Sequence, residues 1–196
     1  MKRLLISLIM LLAIAFSLAA EGFLGATVGL DSGTVTYTDE YEIEYSYDFI
    51  NGNLGLRGGQ FFGPRDNNGL IYSLSVGHCF VMKDSIFEEN EADDIYVLGS
   101  GFLGYGLKVD IGRKLDAIVG IGPAVSWYNG KEDTILWFDL VFSANGIYEI
   151  SDRLGLLFGF DTSIVAGSSF RFSSAEAPEE ETGVFLTPFL GCTLRY

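Results

Sequence analysis

The sequence predicts an all-β chain: an eight-stranded antiparallel up-and-down transmembrane β-barrel, preceded by a cleaved signal peptide. Three observations predict it. Beyond residue 20, period-two alternation of apolar and polar residues recurs in eight stretches, and helical periodicity is absent. Mean hydropathy is high at +0.30, yet no apolar run after residue 20 approaches the ~20 residues of a spanning helix, which is the compositional mark of a membrane barrel. The chain also ends on an alternating apolar strand, Pro188 to Tyr196, with no polar tail. A closed barrel can end this way because its last strand pairs with its first and leaves no edge.

The elements follow in order. Met1-Lys2-Arg3 is a cationic start, Leu4 to Leu18 an apolar run, and Ser17-Leu18-Ala19-Ala20 a small-residue cleavage site before Glu21. Together they read as a secretory leader over 1–20, with the barrel occupying 21–196. No cysteine stands near the cleavage point, so lipid tethering is not expected. Segments long enough to cross a membrane as tilted strands of ~9–11 residues are 22–31, 47–62, 69–82, 95–111, 115–128, 135–150, 153–167 and 182–196. Gly63 to Asn68, Gly112-Arg113-Lys114 and Ser151-Asp152-Arg153 have turn chemistry. Asp31 to Ser46, Lys83 to Asp94 and Ser168 to Glu181 read as longer polar loops, and Asn129 to Thr134 as a short one. Short turns at one end and long loops at the other are the pattern of a barrel with periplasmic turns and external loops.

Charge divides the same way. The three long loops carry Asp39, Glu40, Glu42, Glu44, then Asp84, Glu88, Glu89, Glu91, Asp93, Asp94, then Glu176, Glu179, Glu180 and Glu181. The turns carry Arg65, Arg113, Lys114 and Arg153. Lys and Arg number 12 against 26 Asp and Glu, a net charge of −14 that argues against nucleic acid as a partner. Acidic loops keep a surface soluble and also suit a divalent cation or cationic extracellular ligand. No EF-hand spacing is present.

Alternation assigns faces. Leu136, Phe138, Leu140, Phe142, Ala144 and Tyr148 fall on one side of the sixth segment, and Trp137, Asp139, Val141, Ser143, Asn145 and Glu149 on the other. The seventh sets Leu156, Phe158, Phe160 and Ile164 against Gly155, Gly159, Asp161 and Ser163. The apolar rows are expected to meet lipid, and the polar, charged and glycine rows to face the lumen. Arg57, Asp139 and Asp161 near mid-strand, with Lys108, Asp110, Glu149 and Arg195 towards the turn end, are expected to form a salt-bridged lumen network, since buried charges must pair or meet water. Inward glycines of the first, fourth, fifth and seventh segments leave room for a narrow path. Tyr72, Tyr148 and Tyr196 fall at one level on the lipid face, as an interfacial aromatic girdle does, with Trp127 at the other rim.

Catalytic and cofactor chemistry is not expected. The single histidine, His78, is adjacent to Cys79 in a strand, so their side chains diverge. Cys79 and Cys192 belong to opposite ends of the barrel, beyond the ~7 Å Cα separation a disulfide allows, and two free thiols are expected. No zinc spacing, metal motif or phosphate loop appears.

The spacing Gly191-x-x-Leu194-x-Tyr196 is similar to the carboxyl-terminal sorting signal of bacterial outer-membrane barrels, which end on Phe, Trp or Tyr and prefer a polar residue where Phe189 stands. In pattern the whole mature chain resembles the small eight-stranded outer-membrane β-barrel proteins of diderm bacteria. The resemblance implies an outer-membrane location, outer-membrane lipid and the barrel-assembly machinery as partners, and a non-enzymatic structural or surface-interaction role. The alternative it allows is a narrow pore or conduit for small, including hydrophobic, solutes.

Overall fold

The computed structural model describes residues 21–38, 44–62, 65–84, 97–129, 134–168, 170–171 and 180–196. The eight long strands are β1 (Glu21–Thr38), β2 (Glu44–Phe62), β3 (Asn68–Asp84), β4 (Val97–Asp110), β5 (Leu115–Asn129), β6 (Thr134–Glu149), β7 (Leu154–Ser168) and β9 (Glu180–Arg195). A two-residue strand, β8 (Phe170–Arg171), adds to the loop end of β6. Each long strand pairs antiparallel with its chain neighbour, and β9 pairs with β1, so the wall closes without an edge. Paired residues followed once around, from Gly25 through Arg57, Ser73, Phe102, Ala124, Asp139, Val165 and Gly183, return to β1 at Val35, ten residues farther on. A stagger of this size goes with the strand tilt of roughly 35–45° that closed barrels need.

The turns at one end are tight. Asp66 adopts a left-handed conformation at φ 47°, which a short polar side chain tolerates better than a bulky one. In the third turn the Ile150 N–H donates to the Leu154 carbonyl at 2.9 Å, and the Leu154 N–H donates to Ser151 Oγ at 3.2 Å. The start of β1 and the end of β9 meet at the same end, where Gly22 and Tyr196 exchange backbone hydrogen bonds of 2.9 and 3.1 Å.

The stretch 31–46 is a correction. Its composition predicts a loop, but β1 and β2 stay paired as far as Thr38↔Glu44. Thr34-Val35-Thr36-Tyr37 is a β-branched and aromatic run that favours a strand even where its outward residues are polar. The last hairpin is likewise longer than expected, with β7 reaching Ser168 and β9 starting at Glu180. The acids at 39, 40, 42, 88, 89, 91, 93, 94, 176 and 179, like the leader over 1–20, lie outside the described residues.

Outward rows carry the apolar belt. Leu54, Leu74, Leu103, Tyr105, Val119, Phe138, Leu140, Phe142, Phe160 and Leu190 are all exposed. Water would not support an apolar surface that encircles the molecule; the hydrocarbon of a membrane does. At the turn end Tyr72, Tyr105, Tyr148 and Tyr196 form the aromatic level, and the Tyr105 hydroxyl donates to Asn68 Oδ1 at 2.7 Å. Several rings cover outward glycines on the neighbouring strand: Tyr72 over Gly58, Trp127 over Gly99, Phe158 over Gly146.

Candidate functional site: the stratified lumen

The inward rows are layered along the axis. Reading β2 from the loop end gives Phe49, Asn51, Asn53, Gly55, Arg57, Gly59 and Phe61; β7 from the turn end gives Leu157, Gly159, Asp161, Ser163 and Val165. Each row has an apolar residue near each end and small or polar residues between. Summed around the wall, this makes two apolar clusters. Phe23, Phe61, Ile71, Ile118, Ile147 and Leu157 fill the turn half, continuing up the wall through Phe102, Ala124, Val141 and Phe189. Val35, Phe49, Leu98, Trp137, Val165 and Phe185 fill the loop half, with the Phe49 and Phe185 rings 4.8 Å apart. The inward face is therefore not simply polar, charged or glycine. An eight-stranded lumen is just wide enough for side chains to fill, and these chains fill it.

The inward glycines belong to that filling. A Cβ on Gly59 would stand 2.7 Å from the Phe23 ring, one on Gly106 2.7 Å from Ile71 Cγ2, and one on Gly159 2.8 Å from the Phe189 ring. Each marks where a neighbouring large side chain lies flat on the wall, so their room is already occupied.

Between the clusters lies the first charge network. Arg57 reaches from β2 across the lumen to β6 and β7. Its Nη1 donates to Asp161 Oδ1 at 2.9 Å, Ser143 Oγ at 3.0 Å and Asn145 Oδ1 at 3.1 Å, and its Nη2 pairs with Asp161 Oδ2. The guanidinium lies 3.9 Å from the centre of the Phe189 ring. A bidentate, ring-stacked pair meets most of the conditions for burying two charges, though the Arg57 Nε–H is buried without a hydrogen-bond partner. Asp139 stands apart from it: it is 5% exposed, accepts from Ser126 on one oxygen, and its Oδ1 has no hydrogen-bond partner. Asp31, inward on β1, accepts from Asn51 Nδ2 and Asn53 Nδ2, each at 2.8 Å. A cavity of ≈ 40 Å³ opens among Asp31, Asn53, Arg57, Ser75, Ser100 and Asp161, with Thr27, Ser73, Ser163 and Thr187 also on its wall. That is room for about three waters.

The second network rings the turn-end mouth. Arg195 Nη2 donates to Asp116 Oδ2 at 3.0 Å and Glu21 Oε1 at 3.4 Å, and its Nη1 donates to Glu149 Oε2 at 3.3 Å. Lys108 Nζ donates to Glu21 at 2.8 Å and lies 5.6 Å from the centre of the Phe61 ring. The ring ties β1, β4, β5, β6 and β9 together.

The seven charged residues read from sequence thus divide. Arg57 and Asp161 meet in mid-lumen, Lys108, Glu149 and Arg195 meet at the rim, and Asp139 joins neither group. Asp110 is exposed beside Asp116, one carboxylate against another, and takes no part in the rim bonds just described. Sequence reading missed Glu21 and Asp116 at the rim and Asp31, Asn51 and Asn53 in the chamber. Their signal was present: Asn51-x-Asn53-x-x-x-Arg57 is one inward row, and Asp31 continues the inward row of β1.

Of the sorting residues, Leu194 and Tyr196 are exposed on the lipid face, and Gly191 is packed closely against the backbone of Ala26. Cys192 is a free, exposed thiol; the side chain of Cys79 lies outside the described residues. His78 is exposed near the loop end of β3.

No protein-family model and no curated protein matches the sequence. Solved structures do match the fold. The outer membrane protein OprG from Pseudomonas aeruginosa aligns over 91% of this chain and 96% of its own at 10% identity, with a TM-score of 0.60. A major outer membrane protein from Thermus thermophilus aligns over 86% and 99% at 11% identity (TM-score 0.52). Neisserial surface protein A aligns over 87% and 97% at 8% identity (TM-score 0.50). At such identities the likeness is one of fold. A closed eight-stranded wall with a continuous apolar belt is a transmembrane barrel of the outer-membrane kind, and an outer membrane is where such a barrel resides.

Proposed function

We propose that this chain is an integral outer-membrane barrel with a structural or surface-interaction role, working through the segments beyond its loop end and carrying out no catalysis. In this reading the leader over 1–20 is cleaved on export, the barrel-assembly machinery reads Gly191, Leu194 and Tyr196, and both charge networks hold the wall closed. The carrying observation is the lumen itself: apolar clusters stopper it at both halves, with Arg57 and Asp161 bridging it between them. A partner then meets the loop-end segments, whose sequences hold Glu88, Glu89, Glu91, Asp93 and Asp94 in one run and Glu176 and Glu179 in another. An acidic surface selects cations or cationic ligands. Calcium binding by equilibrium dialysis tests this, comparing the intact barrel with one whose segments 85–96 and 172–179 are replaced by short Gly-Ser links. Binding should vanish in the shortened barrel while its unboiled, folded form still migrates apart from the boiled one on a denaturing gel. Equal binding by both proteins refutes the loop reading, and discrete single-channel openings in planar bilayers refute the sealed lumen.

A second reading, a conduit for small solutes, is favoured by one observation. The hydroxyl-lined chamber around Arg57 and Asp161 keeps open space in the middle of an otherwise filled lumen.

A further inference from the structure

The chamber in mid-lumen holds more acid than base. Asp31 and Asp161 both line it, and Arg57 is the cation among its walls. Arg57 is committed to Asp161 through the bidentate pair. Asp31 accepts from the neutral amides of Asn51 and Asn53, and none of the ion pairs among the described residues includes it. A third carboxylate, Asp139, stands one inward position loopward of chamber-lining Val141. It is 5% exposed, and its Oδ1 has no hydrogen-bond partner. Amides solvate a carboxylate but leave its charge in place, and a charge held away from water needs an opposite one. Towards the loop and turn ends the apolar clusters close the lumen over this excess.

The wall is rich in hard oxygen. Thr27, Ser75, Ser100, Ser163 and Thr187 line the same space, with the Ser75 and Ser100 Oγ atoms hydrogen-bonded at 2.8 Å. Hydroxyl, amide and carboxylate oxygens are the ligands that hard cations take. Arg57 gives an independent sign of a guest. It is 7% exposed and part of the chamber wall, yet its Nε–H is buried without a partner. A water carried in with an ion satisfies such a donor. Size and charge then choose among cations. A chamber of ≈ 40 Å³ has room for an ion with about one or two waters. Calcium takes about six to eight oxygens and magnesium dehydrates reluctantly. Among the described residues no three His, Cys, Asp or Glu side chains are grouped to hold a metal ion. One uncompensated carboxylate in the chamber wall matches a single positive charge.

We propose that the chamber is a binding site for a small monovalent cation such as sodium, an internal counter-ion held by Asp31 and the surrounding hydroxyls. The ion neutralises Asp31 as Arg57 neutralises Asp161, and Asp139, just beyond the wall, adds to its attraction. The site is separate from the acidic segments beyond the loop end, so it goes beyond the loop reading, and either can fail without the other.

Urea unfolding of the barrel in an uncharged detergent at neutral pH tests it, read by tryptophan fluorescence with EDTA present to keep calcium off the loops. Sodium chloride replaces N-methyl-D-glucamine chloride stepwise at constant ionic strength, so that screening at the rim and loops stays fixed. The glucamine cation is too large for the chamber. Wild type should gain stability as sodium rises. Above the dissociation constant, each tenfold rise should multiply the folding equilibrium constant roughly tenfold. Asp31→Asn should abolish that gain, whereas Arg195→Gln, altered at the rim, should keep it in full. If Asp31→Asn does not fold, Thr27→Val with Thr187→Val decides in its place, by needing several-fold more sodium for the same gain. A wild type indifferent to the exchange overturns the site. So does a response unchanged in the chamber variant that folds, or one lost in Arg195→Gln.

Discussion

Two arginines organise this lumen, and they do it under different physics. Arg57 is buried in mid-barrel with one acid, two neutral polar groups and an aromatic ring; its side chain is 8% exposed and that of Asp161 11%. Arg195 stands at the mouth among Asp116, Glu149 and Glu21, partly exposed like most of its partners. In mid-lumen each charge depends chiefly on its partner, because both are shielded from bulk water and share only the small chamber beside them. At the rim, water shares the work. The same side chain is therefore a structural necessity in one place and an adjustable clasp in the other.

The largest expected effect comes from separating the inner pair. Arg57→Met leaves the Asp161 carboxylate among apolar and neutral groups, and removing one partner of a buried pair costs about 3–5 kcal/mol. Urea unfolding of the detergent-folded barrel, read by gel mobility, should show a correspondingly lower midpoint. Adding Asp161→Leu should recover most of the loss, because an apolar pair of similar volume replaces a buried ion pair at little cost. Ser143 and Asn145 keep their own 2.9 Å hydrogen bond. A double variant as unstable as the single one means that Arg57 acts through something other than its charge partner.

A smaller change probes the ring beneath Arg57. Phe189→Leu keeps an apolar side chain at the site but removes the cation–π contact, at an expected cost of about 1–2 kcal/mol. In the Arg57→Met background the same substitution should cost clearly less, since the two residues then no longer share an interaction. Equal costs in both backgrounds mean that the ring contributes by packing alone.

The wall was legible in the sequence to a greater degree than its contents. Alternation in β6 and β7 identified the outward rows because lipid imposes one requirement, apolarity, on every outward position. The inward rows meet no single requirement. Phe23, Phe61 and Phe189 face in as Arg57 and Asp161 do, and each is accommodated by a neighbour (Gly59, Gly159) rather than by a rule of composition. Phe189 illustrates this: a polar residue is usual there, and here the ring is the floor under a guanidinium. Pairing across the lumen was equally invisible, because Arg57 and Asp161 are 104 residues apart and meet only once the wall closes. The misread stretch 31–46 failed for a local reason. Its polar composition reads as a loop, yet the ladder continues beyond the apolar belt, where outward side chains no longer need to be apolar.

The smallest expected effect belongs to the rim, and it is the most direct test of the contrast. Arg195→Gln removes one cation from a ring in which Lys108 still pairs with Glu21. Glu149 keeps access to water at the mouth, and Asp116, though buried, keeps Lys108 as a nearby cation, so neither becomes a stranded charge. Partly exposed pairs contribute about 0.2–1 kcal/mol, and three acids around one arginine place the expected loss near the top of that range. Such a loss is also screened, because the Debye length falls from roughly 10 Å at 0.1 M salt to about 3 Å at 1 M. The difference between wild type and Arg195→Gln should therefore shrink as salt is raised, whereas the loss in Arg57→Met should persist. Unfolding midpoints at both ionic strengths measure it. A rim variant that loses as much as Arg57→Met, with no response to salt, would mean that the mouth is as dry as the middle and that Arg195, too, is a buried structural charge.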